Sequence, residues 1–231
     1  MLSEDTVLSV YNFKPAFQSF LRPAARSLAR RRVTANEVTV AAVILSSVQG
    51  ALIVWQPSAA WPLVLMPVTL LARMALNAID GMLARECGSA SVLGVILNEL
   101  GDLISDTVLY LPLALVPGVP PPLMVVAVCL ALVSEATGVV AMQISDSRGN
   151  EGPMGKSDRA VVFGALALAL GLRVPMGAWT SGLLGLTVAL LVVTIVNRAR
   201  GALRRGMRNV DAKHQDLKMG FQERAVSLLE H

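Results

Sequence analysis

The sequence has few charged residues and few of the side chains on which soluble enzymes commonly rely. Charged residues occupy 16% of the 231 positions, aromatic residues 4%, and there are two histidines and two cysteines. Because His214 and His231 both lie in the C-terminal tail, a Ser-His-Asp arrangement in the apolar part of the chain is excluded. Cys87 and Cys129 have no metal-ligand spacing, so we expect reduced thiols and no disulfide.

Long apolar segments dominate the chain instead. Hydrophobic residues make up 54% of it, with a mean hydropathy of +0.61, whereas soluble domains contain about 45–50% apolar residues. Most of the apolar segments are close to the length of about 20 residues that a helix needs to cross a bilayer. The six segments cover residues 37–55, 59–80, 91–116, 123–144, 160–172 and 179–197. We therefore predict an all-α integral membrane protein with six transmembrane helices, of which the fifth is the shortest and is kept because the topology requires it.

The segment before the first span is basic and has apolar residues at helical spacing. Its phenylalanines, leucines and alanines alternate with lysine and arginine between residues 14 and 32. This pattern indicates an amphipathic helix on an anionic membrane surface, and a plain cytoplasmic extension is the alternative. Thr34 and Glu37 then form a capping-box pattern, which predicts that the first span starts there. We accordingly divide the chain into an interfacial segment (1–33), a six-span domain (34–200) and a basic tail (201–231).

The distribution of lysine and arginine predicts the orientation of the spans. They concentrate before the first span, near residues 85 and 150, and after residue 197. By the positive-inside rule, both termini and these two loops are cytoplasmic, as in a multi-pass protein of a bacterial inner membrane. This topology also explains the pI of about 9.5, so we predict membrane lipids as partners and no nucleic acid.

Two stripes of polar residues interrupt the second and third apolar segments. Charged groups inside a span usually face the protein interior and mark function. The stripes consist of Arg73, Asn77, Asp80 and Ala84 on the second segment, and of Asn98, Glu99, Asp102 and Asp106 on the third. Several oxygen donors that converge at the cytoplasmic ends predict a site for Mg²⁺ or Mn²⁺. Pairing of the carboxylates with Arg73 and Arg85 alone is the alternative, but it would leave at least two of them unpaired.

The spacing of these residues resembles the signature of a known enzyme family. The run Asn77-x2-Asp80-Gly81-x2-Ala84-Arg85-x8-Gly94-x3-Asn98-x3-Asp102 is similar to that of the CDP-alcohol phosphotransferase family, which has Asp at all four acidic positions. The segment from Val33 to Thr39 also looks like the family's Pro-Asn-x-x-Thr element, with Ala35 in place of Pro. The resemblance covers about residues 14–200, and the signature is its specific part.

The resemblance implies a metal-dependent transferase of phospholipid biosynthesis. Such an enzyme moves a phospho-alcohol group, here a phosphatidyl group, from a CDP-linked donor such as CDP-diacylglycerol to an alcohol and releases CMP. Asn77, Asp80, Asn98 and Asp102 would occupy the metal positions, with Asp102 as the catalytic general base. The residues that would line the nucleotide pocket are Gly81, Ala84, Arg85 and Gly94. The resemblance also implies a homodimer.

The chain departs from the family at two of the four acidic positions. Asn77 and Asn98 can ligate a cation through oxygen but bring no negative charge. We therefore predict a shifted metal site of Asp80, Glu99, Asp102 and Asp106, with the two asparagines as neutral ligands or as hydrogen-bond donors to phosphate. The rival hypothesis is a pseudoenzyme that binds a nucleotide or lipid without turnover.

A basic segment at residues 152–159 lies at the entry to the fifth predicted span. It lacks the glycine spacing of a phosphate-binding P-loop. In family members with phosphorylated acceptors, basic residues here hold the acceptor phosphate, which the resemblance would assign to Lys156 and Arg159. Positive-inside topology with lipid headgroup contact is the alternative. Arg73 would serve the same pocket or pair with Asp80. A transporter is disfavoured because the two halves of the chain do not resemble each other.

Overall fold

The computed structural model describes residues 14–86, 91–145 and 152–229, and this part of the chain is helical without a strand. Its helices are α1 (Lys14–Arg30), α2 (Ala35–Trp55), α3 (Ala60–Glu86), α4 (Val92–Tyr110), a 3₁₀ helix (Leu111–Leu115), α5 (Pro121–Ser145), α6 (Lys156–Gly171) and α7 (Ala178–Leu229). The all-α prediction is confirmed for these residues. Cys87 and the loop around residue 150 lie outside them, as do residues 1–13, and Cys129 has a free thiol.

Each of the six predicted apolar segments corresponds to one helix from α2 to α7. Within the described residues, four helices are long and apolar enough to cross a membrane, namely α2, α3, α5 and α7. The chain is therefore a multi-pass membrane protein. Helix α4 carries three carboxylates and α6 has 16 residues. That these two helices also cross the membrane, which would give six spans, stays a prediction. Helix α7 continues through residue 200 without interruption, and the domain boundary predicted there stays untested.

The start of α2 follows the predicted capping box. The Thr34 hydroxyl accepts a hydrogen bond from the backbone N–H of Glu37 at 3.3 Å. In return, the Glu37 carboxylate accepts one from the backbone N–H of Thr34 at 2.8 Å. These bonds satisfy amide donors that a helix start leaves without partners. They fix the beginning of α2 and thereby the position of Thr39, one turn into the helix.

Tryptophans mark the end of the bundle that lies opposite the signature residues. Trp55 ends α2, Trp61 lies at the start of α3, and Trp179 at the start of α7. The indole of Trp61 donates to Gln56 Oε1 at 2.7 Å, and that of Trp179 donates to the Pro175 carbonyl at 2.8 Å. Indoles with a satisfied N–H are typical of membrane interfaces. The cytoplasmic location of both termini stays a prediction.

Helices α2 and α4 pack closely because glycine occupies their contact. A Cβ added at Gly50 would overlap the carbonyl oxygen of Val108. A Cβ at Gly101 would lie 3.1 Å from Val43 and 3.3 Å from Thr39. Small residues permit such close backbone approach between membrane helices. The α4 carboxylates are consequently held next to the N-terminal half of α2.

Helix α1 packs against α3 and the start of α2. Ala25 is buried with Ile79, Met82 and Leu83 of α3, while Phe20 on α1 is 80% exposed. The predicted helix therefore exists, with one side against the bundle and an apolar residue on its surface. Its location on a membrane surface stays a prediction.

Candidate active site

Asp102 lies where α3, α4 and α6 meet. Its Oδ1 atom accepts a hydrogen bond from Asn77 Nδ2 at 2.9 Å and lies 2.5 Å from Lys156 Nζ. The Nη2 atom of Arg73 is 3.5 Å from the same oxygen. The structure thus brings together four residues that the sequence stripes and the basic segment had suggested separately.

Asp80 lies beside this group and is oriented by α2. Its Oδ2 atom accepts a hydrogen bond from the Thr39 hydroxyl at 2.9 Å, and both side chains are buried. Asp80 is also close enough to Asp102 and Lys156 to interact with their charges. We call Asn77, Asp80, Asp102 and Lys156 the Asp102 cluster. Thr39 was not among the predicted site residues, although it belongs to the predicted Val33 to Thr39 element.

Asp106 has different partners from those expected of a metal ligand. Its Oδ1 atom is 2.5 Å from Arg73 Nη1, and its Oδ2 atom is 3.0 Å from Arg159 Nη2. Both carboxylate oxygens are therefore paired with guanidinium groups, and the three side chains are almost completely buried. The predicted role of Asp106 as a metal ligand stays a prediction, and it would require these ion pairs to open.

Two functional candidates were missed from the sequence. Glu135 on α5 accepts from Arg159 Nη2 at 2.8 Å and lies 3.6 Å from Arg198 Nη1 on α7. Arg198 Nη1 also donates to the backbone carbonyl of Ser134 at 2.6 Å. The sequence contains a signal for this pair, because an acidic residue inside the fourth apolar segment predicts an intramembrane partner of opposite charge. We call the set Arg73, Asp106, Arg159, Glu135 and Arg198 the ion-pair chain; it joins α3, α4, α6, α5 and α7.

The residues that lie together supply part of the predicted donor set for a divalent cation. Within residues 14–86, 91–145 and 152–229, no three His, Cys, Asp or Glu side chains are arranged to hold a metal ion. Asp80 and Asp102 nevertheless supply two carboxylates, and Asn77 an amide oxygen. Since Mg²⁺ is commonly bound through one or two carboxylates together with substrate phosphates, this set fits one cation. Glu99 and Asn98 are half-buried on α4, and their predicted part in the site stays untested.

The predicted nucleotide-pocket residues lie toward the same ends of α3 and α4. Arg85 is exposed, and its guanidinium lies over Gly81, where an added Cβ would be 3.2 Å from Nη2. A Cβ at Gly94 would lie 2.7 Å from the Asn36 side-chain oxygen. Glycine therefore lets the Arg85 and Asn36 side chains lie close to the backbone at these two positions, whereas Ala84 is half-buried against α1. Nucleotide binding by these residues stays a prediction.

The approach of Lys156 to Asp102 depends on the segment before α6. Met154 N–H donates to the Thr194 hydroxyl of α7 at 3.0 Å, and Gly155 N–H donates to Asp158 Oδ2 at 2.9 Å. Gly152 has a φ of 143° and lies against Thr194, where a Cβ would come within 2.6 Å of its side chain. These contacts attach the segment to α7 and place Lys156 at the first residue of α6, beside the cluster.

Comparisons with known proteins identify the family of the chain. The family model for CDP-alcohol phosphatidyltransferase matches residues 32–199. A curated relative, "Inner membrane protein YnbA" of Escherichia coli strain K12, is 42% identical over 198 residues, which are 85% of this chain and 97% of that protein.

Two solved structures of Mycobacterium tuberculosis phosphatidylinositol phosphate synthase (PgsA1) have a similar fold. Each is 21% identical to this chain, covers 79% of it and has a TM-score of 0.60. One has CDP-DAG bound and is matched over 92% of its length. The other is in complex with manganese and citrate and is matched over 88%. At this level of identity the likeness establishes the fold.

Proposed function

This chain belongs to the CDP-alcohol phosphatidyltransferase family, and we propose that it transfers a phosphatidyl group from a CDP-linked donor such as CDP-diacylglycerol to an alcohol. The convergence of Asn77, Asp80 and Asp102 beside Lys156 carries this proposal. A donor of this class is also supported by the PgsA1 structure that has CDP-DAG bound. The acceptor hydroxyl oxygen bonds to the lipid phosphorus, the bond to the CMP oxygen breaks, and CMP leaves.

The proposal includes Mg²⁺ or Mn²⁺ as cofactor. Asp80, Asp102 and the Asn77 amide would hold the cation, which would stabilise negative charge on the pyrophosphate as a Lewis acid. The chemistry of this donor set supports the assignment, and so does the manganese complex of PgsA1. Thr39 would orient Asp80 for this purpose through its 2.9 Å hydrogen bond.

Asp102 is the proposed general base. A carboxylate within hydrogen-bond reach of the acceptor hydroxyl can take its proton as the new bond forms. The contacts of Oδ1 with Asn77 and Lys156 fix the orientation of this carboxylate. The Lys156 side chain is 32% exposed, and its flexible ammonium can turn toward a donor phosphate.

A second candidate is a pseudoenzyme that binds the donor without turnover. The observation that favours it is the replacement of two signature carboxylates by Asn77 and Asn98, together with the pairing of Asp106 by two arginines. Such a protein would retain the fold and a polar cavity but would have too little negative charge to hold its cation firmly.

The cellular setting is part of the proposal. We place the chain in a bacterial inner membrane with six spans, both termini cytoplasmic, α1 on the membrane surface, and a homodimer as the assembly. Four apolar helices and a relative named as an inner membrane protein support the membrane assignment. A lipid donor would then reach the Asp102 cluster laterally from the bilayer.

The direct test is CMP release by the purified full-length protein in liposomes. The assay contains CDP-diacylglycerol, Mg²⁺ or Mn²⁺ and a pool of alcohols, with Asp102→Asn as the inactive control and Glu86→Gln as a surface control. Release that requires metal and Asp102 supports the transferase. Donor binding without release under either metal supports the pseudoenzyme.

A further inference from the structure

The polar contacts of the Asp102 carboxylate converge on one of its two oxygens. Within residues 14–86, 91–145 and 152–229, every hydrogen bond and ion pair of this carboxylate uses Oδ1, and the donors belong to Asn77, Arg73 and Lys156. Three donors thus hold one oxygen on the protein side, and Oδ2 is left for the cation or the acceptor hydroxyl. The orientation of the carboxylate therefore depends on where these donors are fixed.

Arg73 is the most deeply buried of the two cationic donors. Its side chain is 4% exposed, whereas that of Lys156 is 32% exposed. Its Nη2 atom lies 3.5 Å from Asp102 Oδ1 and donates to the Asp102 backbone carbonyl at 3.2 Å. Its Nη1 atom lies 2.5 Å from Asp106 Oδ1. Because a guanidinium is planar and rigid, the contact with Asp106 also sets the place of the nitrogen that faces Asp102.

Asp102 and Asp106 lie four residues apart on α4 and so share one face of the helix. Two carboxylates at this spacing repel each other, and the repulsion would turn the more exposed one away. Arg73 contacts both, so it offsets the repulsion and couples the position of Asp102 to that of Asp106. Asp106 is held from its other side by Arg159 at 3.0 Å, and Arg159 in turn by Glu135 at 2.8 Å.

We propose that Arg73 and Asp106 are positioning residues for the general base. They keep Oδ1 of Asp102 turned toward the protein, so that Oδ2 stays available for the reaction. The inference rests on the proposed transferase function and deepens it. It gives Asp106 a role other than metal ligation, and Arg73 a role other than binding of an acceptor phosphate.

Arg73→Lys is the first test, because lysine keeps the positive charge but has a single nitrogen and cannot bridge the two carboxylates. CMP release is measured in liposomes with CDP-diacylglycerol, Mn²⁺ and the alcohol that the wild-type protein uses. We expect kcat to fall about 10–100-fold and the KM for the alcohol to change less than about threefold. An unchanged kcat, or a raised KM at unchanged kcat, would overturn the inference.

The matched control is Arg22→Lys. Arg22 forms an exposed ion pair with Glu86 at 3.1 Å, so the same exchange of side chains there should leave kcat at the wild-type value. A loss in Arg22→Lys as large as that in Arg73→Lys would contradict a specific action on Asp102.

A double variant distinguishes positioning from an independent effect of Arg73. In the Asp102→Asn background the base is absent, so Arg73→Lys should change the residual CMP release by less than about twofold. If Arg73 contributed independently, its replacement would lower the residual rate by the same factor as in the wild-type background. That result would overturn the inference.

Asp106→Asn tests the second positioning residue. Asparagine keeps the shape but removes the charge that holds Arg73, and it presents an N–H group to one of the two arginines. We expect kcat to fall about tenfold in the folded variant. A wild-type kcat in folded Asp106→Asn would refute the role of Asp106. If this variant does not fold, Arg73→Lys, which retains every charge, still decides whether Asp102 is positioned from this side.

Mn²⁺ titration by paramagnetic resonance separates this inference from the proposed function. If the wild-type protein releases no CMP with any alcohol, the transferase proposal fails, while Mn²⁺ binding still reports on Asp102 as a proposed ligand. We expect Arg73→Lys to bind Mn²⁺ about tenfold more weakly than the wild type, and Arg22→Lys to bind it equally well. Equal affinity of all three proteins would overturn the inference, whether or not CMP is released.

Discussion

The ion-pair chain and the Asp102 cluster use the same side-chain chemistry in opposite ways. In the chain, the side chains of Asp106 and Glu135 are 4% and 8% exposed, and both lie between arginines from other helices. In the cluster, the side chains of Asp102 and Lys156 are 13% and 32% exposed. Charges that are buried and paired within the protein join five helices, whereas we propose that the partly exposed ones exchange a protein partner for a substrate.

This contrast predicts different consequences of mutation. A buried ion pair need not add net stability, but removing one partner leaves an uncompensated charge and costs about 3–5 kcal/mol. A partly exposed catalytic group has little effect on folding and a large effect on rate.

Asp102→Asn should have the largest effect. The amide keeps the shape and the contacts with Asn77 but cannot accept the proton, so CMP release should fall by about 10²–10⁴-fold. Thermal unfolding in detergent should stay near that of the wild type. Retained release would show that Asp102 is not the base, and a large loss of stability would place it functionally with the ion-pair chain.

Arg159→Leu should lower stability most. It leaves Asp106 without one of its arginines and Glu135 without its nearest one, and the free energy of unfolding should fall by about 3–5 kcal/mol. The control is Arg22→Leu, which breaks the exposed pair with Glu86 and should cost less than about 1 kcal/mol. Chemical denaturation in mixed micelles measures both. Similar small losses would contradict the structural role of the chain.

Thr39→Val should weaken the Asp102 cluster from the α2 side. Valine preserves the shape but removes the hydrogen bond to Asp80, which is worth about 1.5–3 kcal/mol for a charged acceptor. We expect weaker Mn²⁺ binding in paramagnetic resonance titrations and slower CMP release. Thr137→Val, at an exposed site whose hydroxyl donates to the Val133 carbonyl within α5, is the control. Equal Mn²⁺ affinity in both variants would show that Thr39 does not contribute to the metal site.

Gly50→Ala should move α2 from α4 without touching a charged group. The new methyl would overlap the Val108 carbonyl, and overpacking of this kind costs about 1–3 kcal/mol. Gly182→Ala has nothing within 4 Å of its added Cβ and should instead stabilise α7 by about 0.5–1 kcal/mol. We expect Gly50→Ala to lower the melting temperature and Gly182→Ala to raise it. Stabilisation by Gly50→Ala would mean that the helices are not in close contact there.

Local signals in the sequence were sufficient for the helices and the family. The capping box at Thr34, the six apolar segments and the signature from Asn77 to Asp102 depend on residues near one another in the chain. The family prediction and the all-α fold of the described residues are confirmed. The contact between Asn77 and Asp102 could also be predicted, since one short connection joins the two segments that carry the polar stripes.

The ion pairs between side chains of distant helices could not be predicted from the sequence. Helical spacing placed Asp106 on the face of Asp102 and so suggested a shared metal site, but the structure pairs Asp106 with arginines from α3 and α6. Glu135 went unnoticed because its partners, Arg159 and Arg198, are 24 and 63 positions away.

The sequence by itself determined where the helices begin, that several of them require a membrane, and which residue types carry the chemistry. Periodicity and hydropathy act along a single segment, so they fix which face of a helix is polar. The tertiary structure decided which carboxylates are buried between arginines and which one is partly exposed beside Lys156. That decision depends on how α3 to α7 pack, because burial and the distance between charges on different helices set the strength of each ion pair.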